Sequence, residues 1–363
     1  MAVAAITALL YAGFILLVRN GLKRLRSSPR AATQASISVV IPLRNEVGNV
    51  PHILNRLAAL TYSQDKWEAI LINDHSDDDT LALLKSSVIN CDLPFVILDL
   101  PDTLQGKKAA LNTGIAHSKY DIIAQTDADT TLHPDWLSSV SDAFSNASIR
   151  AAFGSVEVDN DAHLFSLEGL SALEFKMNMA MNTGVLGLGH ILSCSGANFA
   201  YRKTARIEVI PTVEGENMAT GDDHFVLRAI ADKYGTTAIA YIANTVHTSL
   251  PNTHMDLIRQ KKRWSSKIYS FGTPQEVAIA VLVAHTHIYL VYAFIAEPAG
   301  FIILFTAICI SDMALLARYA RTTQTKPVQP PAYILRRLYY AFYSIALIPF
   351  VLLTTGEWKG RKL

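Results

Sequence analysis

Three textures alternate along the chain. Met1–Val18 is apolar and uncharged, Ser36–Thr248 switches between short apolar runs and helical patterns, and three more apolar segments follow at Val277–Ile295, Ala299–Leu316 and Leu338–Thr354. In the middle region Ile37–Ile41 reads as a buried strand stopped by Pro42, which has no N–H to give a ladder. Val50, Ile53, Leu54, Leu57 and Leu60 recur at helical spacing. Ala69–Ile72 reads as a second strand, Thr80–Ser87 as a short helix, Phe95–Leu100 as a third strand, Lys107–Ser118 as a helix and Ile122–Thr126 as a fourth strand. Strands separated by helices of this length predict a parallel sheet, whose ligands sit beyond the carboxyl ends of its strands.

The polar residues collect at those ends. Arg44-Asn45-Glu46 follows the first strand, Asn73–Thr80 the second and Asp127-Ala128-Asp129 the fourth. Asp127 and Asp129 point the same way on an extended chain, so they can share a divalent cation through oxygen ligands. Such a seat suits transfer from a nucleotide-activated donor, where a cation neutralises the departing diphosphate. Asp74 directly follows an apolar run and is placed to accept from a base N–H or from ribose hydroxyls, while Ser76 or Asp79 suits a helix N-cap. Gly106-Lys107 opens the helix before the fourth strand, where a lysine joins free backbone N–H groups in a phosphate-binding position.

Composition adds the membrane. Only 17% of the 363 residues are charged, against about 25% in an ordinary soluble domain, and the deficit lies at the two ends. Arg19, Lys23, Arg24, Arg26 and Arg30 come after the first apolar run, and Glu46 is the first acidic residue. A cleaved signal would carry its positive charge before the apolar core. The order here predicts a retained anchor, an integral protein of the cell membrane and a cytoplasmic catalytic domain. Arg318, Arg321, Lys326, Arg336 and Arg337 predict a cytoplasmic loop between the second and third C-terminal segments. Three C-terminal spans then leave the basic tail Trp358–Lys362 outside, against the same rule, and Asp312 interrupts the middle one. Either the last segment re-enters, or Asp312–Arg321 lies on the membrane surface.

The expected partition is an anchor at 1–18, a basic linker at 19–35, a catalytic domain at 36–250, an interfacial amphipathic helix at 251–275, membrane segments at 276–355 and a tail at 356–363. A net charge of +1 gives no field that would attract nucleic acid. Cys91, Cys194 and Cys309 are scattered and odd in number, with no disulfide or metal spacing.

Together these motifs resemble the membrane-integrated family 2 glycosyltransferases, whose members include cellulose and hyaluronan synthases. The resemblance covers about Ser36 to Lys267. It implies an α/β domain of the GT-A (Rossmann-like nucleotide-diphospho-sugar transferase) fold flanked by transmembrane helices. Val39–Glu46 resembles the family's opening strand and loop, which implies donor contacts from Pro42 and Glu46. Asn73-Asp74-His75-Ser76 resembles its nucleoside-binding turn, usually Asp-Asp-Gly-Ser, with Asn73 and His75 departing from it. Gly106-Lys107 with Ala110-Leu111-Asn112 resembles the element whose lysine faces the donor phosphates. Asp127 and Asp129 match the Asp-x-Asp element, which implies Asp129 as the main ligand of Mg²⁺ or Mn²⁺. Thr220-Gly221-Asp222-Asp223 resembles Thr-Glu-Asp, with Asp222 in place of glutamate on the acceptor side and Asp223 as general base. Gln260-Lys261-Lys262-Arg263-Trp264 fits Gln-x-x-Arg-Trp in full.

Chemistry agrees with those roles. An acceptor hydroxyl loses a proton as it attacks the anomeric carbon, and a carboxylate in reach takes it. Asp223 begins the helical stretch Asp223–Ala231, whose N-terminus favours the ionised form, while Asp222 suits an N-cap. The planar fork of Arg263 suits a diphosphate. Trp264, with Gln260 beside it, offers a flat face to an acceptor sugar or an anchor at the membrane surface. The expected activity is metal-dependent, inverting transfer from a UDP-sugar to a membrane-associated lipid or glycan. Only three C-terminal segments favour a single transfer over extrusion. If the last motif is only an anchor, the turn Ser195–Asn198 is the other place for an acceptor.

Two other readings compete with this one. Asp127-Ala128-Asp129-Thr130-Thr131 also fits a haloacid-dehalogenase-like phosphatase with Asp127 as nucleophile. That nucleophile normally sits on the first strand of its domain, and here three strands precede it. A catalytically inactive membrane scaffold is opposed by the acidic positions, all of which are filled.

Overall fold

The computed structural model describes residues 1–25, 28–89, 91–158, 166–210, 213, 221–250, 253, 255–262, 272–353, 357–358 and 361–362. They form two compact units: Arg26–Glu157 with Ser193–Ser249, and Met1–Leu25 with Val158–Leu192 and Leu250–Leu363.

The first unit is built on a seven-stranded sheet of β1 (Ile37–Leu43), β2 (Trp67–Asn73), β3 (Phe95–Asp99), β4 (Ile122–Gln125), β5 (Ala151–Val158), β6 (Phe199–Arg202) and β7 (Ile239–Thr248), in the order β3-β2-β1-β4-β6-β5-β7. β1 to β4 run parallel, as their spacing predicts. β6 runs antiparallel to β4 and to β5, so the sheet is mixed. Between β5 and β6 the chain enters the other unit.

β1 does not stop at Pro42 but continues to Leu43, pairing Pro42 with Ile72. The Val40 carbonyl receives Thr126 N–H from the β4 side, and the Leu43 carbonyl receives Asp74 N–H from the β2 side. The missing N–H of Pro42 therefore faces the β4 side, beyond the last β4 pair at Val40–Gln125, and costs no ladder bond.

Helices α2 (Val50–Ala58), α3 (Thr80–Val88) and α4 (Lys107–His117) join the parallel strands. α2 buries Val50, Ile53 and Leu57 of the stripe that its spacing predicts, and ends before Leu60. Asn198 ties the antiparallel half together. It is fully buried, donates to the carbonyls of Ser155 and Asn244 at 3.0 Å each, and accepts Trp136 Nε1–H at 3.0 Å. Trp136 opens α5 (Trp136–Ala143).

The second unit is helical: α1 (Ala2–Arg24), α6 (Leu167–Gly187), α9 (Pro274–Ala296), α10 (Pro298–Thr323) and α11 (Pro330–Leu353), with α7 (Lys203–Val209) and α8 (His224–Tyr234) belonging to the first unit. Proline stands in the first turn of α9 and α10, where its missing N–H is harmless. Thr273 and Glu276 close a capping box on α9. α1, α9 and α10 are long and apolar enough to cross a membrane.

Asp312 does not end α10, which runs unbroken from Pro298 to Thr323. Its carboxylate is buried and accepts Tyr11 Oη–H at 2.9 Å and Tyr333 Oη–H at 2.5 Å, with Arg337 Nε 3.3 Å away. Arg337 reaches Nε2 of His287 at 2.7 Å, and His287 Nδ1–H is used by the Val283 carbonyl at 2.7 Å. A charge inside an apolar helix is tolerated because α1 and α11 bring it partners, and His287 of α9 braces Arg337.

Candidate active site

The chain passes from β1 through β2 to β3 on one side, then returns to place β4 on the other side of β1. That switch point leaves a crevice beyond the carboxyl ends of the strands. Asp127, just past β4, accepts Lys107 Nζ–H at 2.7 Å. Thr130 closes the turn by donating its hydroxyl to the Asp127 carbonyl at 2.7 Å. Burial alone would lower the pKa of Lys107. The charges of Asp127, Asp222 and Asp223 outweigh it and hold the ammonium well above its ordinary range. One lysine is thus shared among three carboxylates that lie up to 96 residues apart, Asp127 to Asp223.

Asp129 accepts the Thr248 hydroxyl at 2.9 Å. Burial first, then the charges of Asp127 and Glu46, push its carboxyl up to about 6, with Thr248 pulling the other way. Among the described residues no three His, Cys, Asp or Glu side chains converge into a closed metal cage. Asp127 and Asp129 fit a different kind of seat. Two carboxylates that repel each other at a pocket edge suit a cation whose remaining ligands are phosphate oxygens and water.

Asp222 and Asp223 precede α8. Asp223, not Asp222, is the N-cap: one carboxylate oxygen accepts His224 N–H at 2.7 Å and the other accepts Gly196 N–H at 2.8 Å. The cap needs its bond to a helix amide, whereas Asp222 is turned to Gln125 Nε2–H at 3.1 Å. Gly196 lies in the turn Ser195–Asn198, so the alternative acceptor turn meets Asp223. A Cβ on Gly196 would stand 2.8 Å from Gln125 Nε2 and 3.5 Å from Asp223 Oδ2, and only glycine lets that amide approach.

At the other end of the crevice Asp74 is buried, and its Oδ1 accepts Gly106 N–H at 3.0 Å. Gly106 adopts φ +95° to turn that amide inward just before α4. Asn73, in place of the family's aspartate, gives its amide to Asp99 at 2.7 Å. Asp79 occupies the N-cap position of α3 with no side-chain bond, and Asp78 instead accepts Thr80 N–H at 3.1 Å. Glu46 binds Asn49 at 2.6 Å, and Pro42 lies within β1. Gln260 belongs to the other unit, in the helical stretch 255–262. Arg263, Trp264 and Thr220 lie outside the described residues.

Two residues escaped the sequence reading, Gln125 and Thr248, and so did the contact that the Gly196 amide makes with Asp223. Gln125 had a signal: it is buried, and 125, 127 and 129 alternate, so one strand end aims three polar side chains alike. Thr248 had none, because its meeting with Asp129 depends on the bridge between Thr131 and His247. The Gly196 amide is backbone and carries no residue signature.

The comparisons with known proteins agree. The model of glycosyl transferase family 2 matches residues 38–210. Over 126 residues the chain is 31% identical to the glycosyltransferase AglE of Haloferax volcanii, covering 35% of this chain and 41% of that protein. It is 24% identical to an N-acetylglucosaminyltransferase of Mesorhizobium japonicum over 347 residues, covering 92% of this chain and 75% of that one. Thus it spans less than half of the first relative's length. The mannosyltransferase PcManGT from Pyrobaculum calidifontis, solved with GDP-Man and Mn²⁺, superposes with a TM-score of 0.57 at 20% identity, over 94% of this chain and 97% of that one. That likeness shows the fold, the GT-A arrangement that the motif order implies. Motif order, fold and family model converge on one stretch, and residues 38–210 of the chain match glycosyl transferase family 2.

Proposed function

We propose that the chain is a metal-dependent inverting glycosyltransferase, moving a sugar from a nucleotide-diphosphate donor, a UDP-sugar, to a membrane-associated lipid or glycan acceptor. The observation that carries this reading is Lys107 held among Asp127, Asp222 and Asp223 in the crevice at the switch point. Asp223 accepts the acceptor's hydroxyl proton, the freed oxygen attacks the anomeric carbon, and the bond from that carbon to the diphosphate breaks on the opposite face. A single displacement inverts the centre. Lys107 meets charge on the leaving group. Asp129 and Asp127 would hold Mg²⁺ or Mn²⁺, which supplies Lewis-acid neutralisation of the diphosphate when bound.

The relatives' names support sugar transfer, and apolar helices long enough to cross a membrane support an acceptor there. We place the family domain in the cytoplasm, the partition at 36–250 for the domain and 251–275 for an interfacial helix, and Gln260, Arg263 and Trp264 at the acceptor and leaving-group side. Donor contacts from Pro42, Glu46 and Asp74 belong to the same reading.

The test is transfer from labelled nucleotide sugars by the purified full chain with Mn²⁺. Asp223→Asn keeps the shape but not the basicity, and should lower kcat by about 10²-fold with donor affinity nearly unchanged. Loss of donor affinity with kcat intact would move Asp223 into the binding shell and remove it as the base.

A further inference from the structure

Among the described residues, three that carry a Cβ adopt a left-handed backbone: Asn45 at φ 51°, His75 at φ 52° and Gln324 at φ 56°. Two have local reasons. Asn45 uses its side-chain oxygen to accept Asp77 N–H at 2.8 Å, the kind of local bond that lets asparagine occupy this region. Gln324 caps the exposed end of α10. His75 caps no helix. It stands in the loop between β2 and α3, where the family's turn usually has the glycine that this conformation favours.

What holds His75 is the buried carboxylate of Asp74, with the exposed carboxylate of Asp102 beside the other nitrogen. His75 Nδ1 lies 3.2 Å from Asp74 Oδ1, and its Nε2 lies 3.7 Å from Asp102 Oδ1. Asp74 is fixed in turn by Gly106 N–H, one residue before Lys107. With both nitrogens turned to carboxylates, the part of the ring left for a ligand is its flat face, and the side chain is 30% exposed. The ring lies at the carboxyl end of β2. Lys107, Asp127 and Asp129 mark the phosphate end of the crevice beside β4. A donor seated there extends its nucleoside across β1 toward β2 and His75.

We propose that His75 is a stacking platform for the nucleobase of the donor, its ring pinned edge-on between Asp74 and Asp102. This rests on the proposed donor site and deepens it: a flat aromatic face recognises any base by stacking. The strained backbone is kept because glycine, which would relieve it, has no ring.

The test measures binding to the purified full chain with Mn²⁺, using UDP, GDP and inorganic pyrophosphate as probes. His75→Gly relieves the backbone and is expected to keep or raise Tm. It should weaken whichever nucleoside diphosphate the native protein binds by about ten-fold, as expected for a lost stacking contact, and leave pyrophosphate binding unchanged. His75→Asn, which tolerates the same φ without a ring, should behave likewise. Wild-type affinity for the nucleoside diphosphate in His75→Gly overturns the proposal while the donor site stands. An equal loss for pyrophosphate also overturns it, because His75 would then only brace the loop that carries Gly106 and Lys107. If the native protein binds pyrophosphate but neither nucleoside diphosphate, the nucleotide-donor reading itself falls, and His75 with it.

Discussion

Lys107 sits where burial would strip its charge, and three carboxylates prevent this. Asp129 sits where burial and two like charges hinder ionisation, and one hydroxyl from Thr248 helps it. The two environments push in opposite senses, with a permanent cation beside Asp127 and a reluctant anion two residues on. The sign of the pH effect follows. The Asp129 carboxyl titrates near 6 in the folded chain, against an ordinary value of about 3.9. Its contribution to stability is therefore fully present below the ordinary value and is lost as pH rises through about 6. A bound cation removes that penalty and also adds stability by mass action. Mn²⁺ should thus raise Tm more at pH 7.5 than at pH 5. Asp129→Asn, with no charge to bury, should melt higher than the native chain at pH 7.5 without metal and show no Mn²⁺ shift. An equal Mn²⁺ shift in Asp129→Asn, followed by thermal unfolding, would place the cation elsewhere.

At the scale of elements, the parallel half of the sheet was legible because each strand is a short apolar run separated from the next by a helix with one apolar stripe. Of the five residues that its spacing marks, α2 buries Val50, Ile53 and Leu57, while Leu54 is half-buried and Leu60 lies past its end. The antiparallel half was not. β6 is four residues long, and its direction depends on where the chain comes back after α6, which no local pattern records. α6 itself escaped because apolar residues such as Leu173, Phe175, Met179 and Val185 lie all around it, leaving little periodic contrast. Asp312 misled for the opposite reason: a charge in an apolar run reads as a break, yet its partners come from two distant segments, Tyr11 from α1 and Tyr333 and Arg337 from α11. That arrangement makes its own prediction. Asp312→Ala leaves Arg337 buried and unpaired, which should cost about 3–5 kcal/mol of stability. The double change Asp312→Leu with Arg337→Met should recover most of it. Thermal unfolding of the purified chain in detergent reads both, and a double variant no better than the single would mean that the charges are not what Asp312 contributes.

At the scale of the whole molecule, the direction of the helices bears on which side the chemistry is done. The Met1 amino group meets Glu297 at 2.9 Å, a Cβ on Gly300 would lie 3.2 Å from Ala4, and Tyr11 meets Asp312. The contacts advance together along both helices, so α1 and α10 run parallel from a shared end. Arg19, Lys23 and Arg24 near the end of α1 then lie with Arg318 and Arg321 near the end of α10. Two basic clusters far apart in sequence thus fall at one end of the helical unit, and cytoplasmic ends are the basic ones. The family domain follows α1 directly, so it should share that side, where nucleotide sugars are made. Cys91 is a natural reporter: it is half-buried in the family domain, whereas Cys194 is buried and Cys309 lies within α10. A membrane-impermeant maleimide should therefore leave Cys91 unlabelled in intact cells and label it once the membrane is opened. Labelling of Cys91 in intact cells would turn the chain around. It would also remove the cytoplasmic donor pool from the proposed reaction.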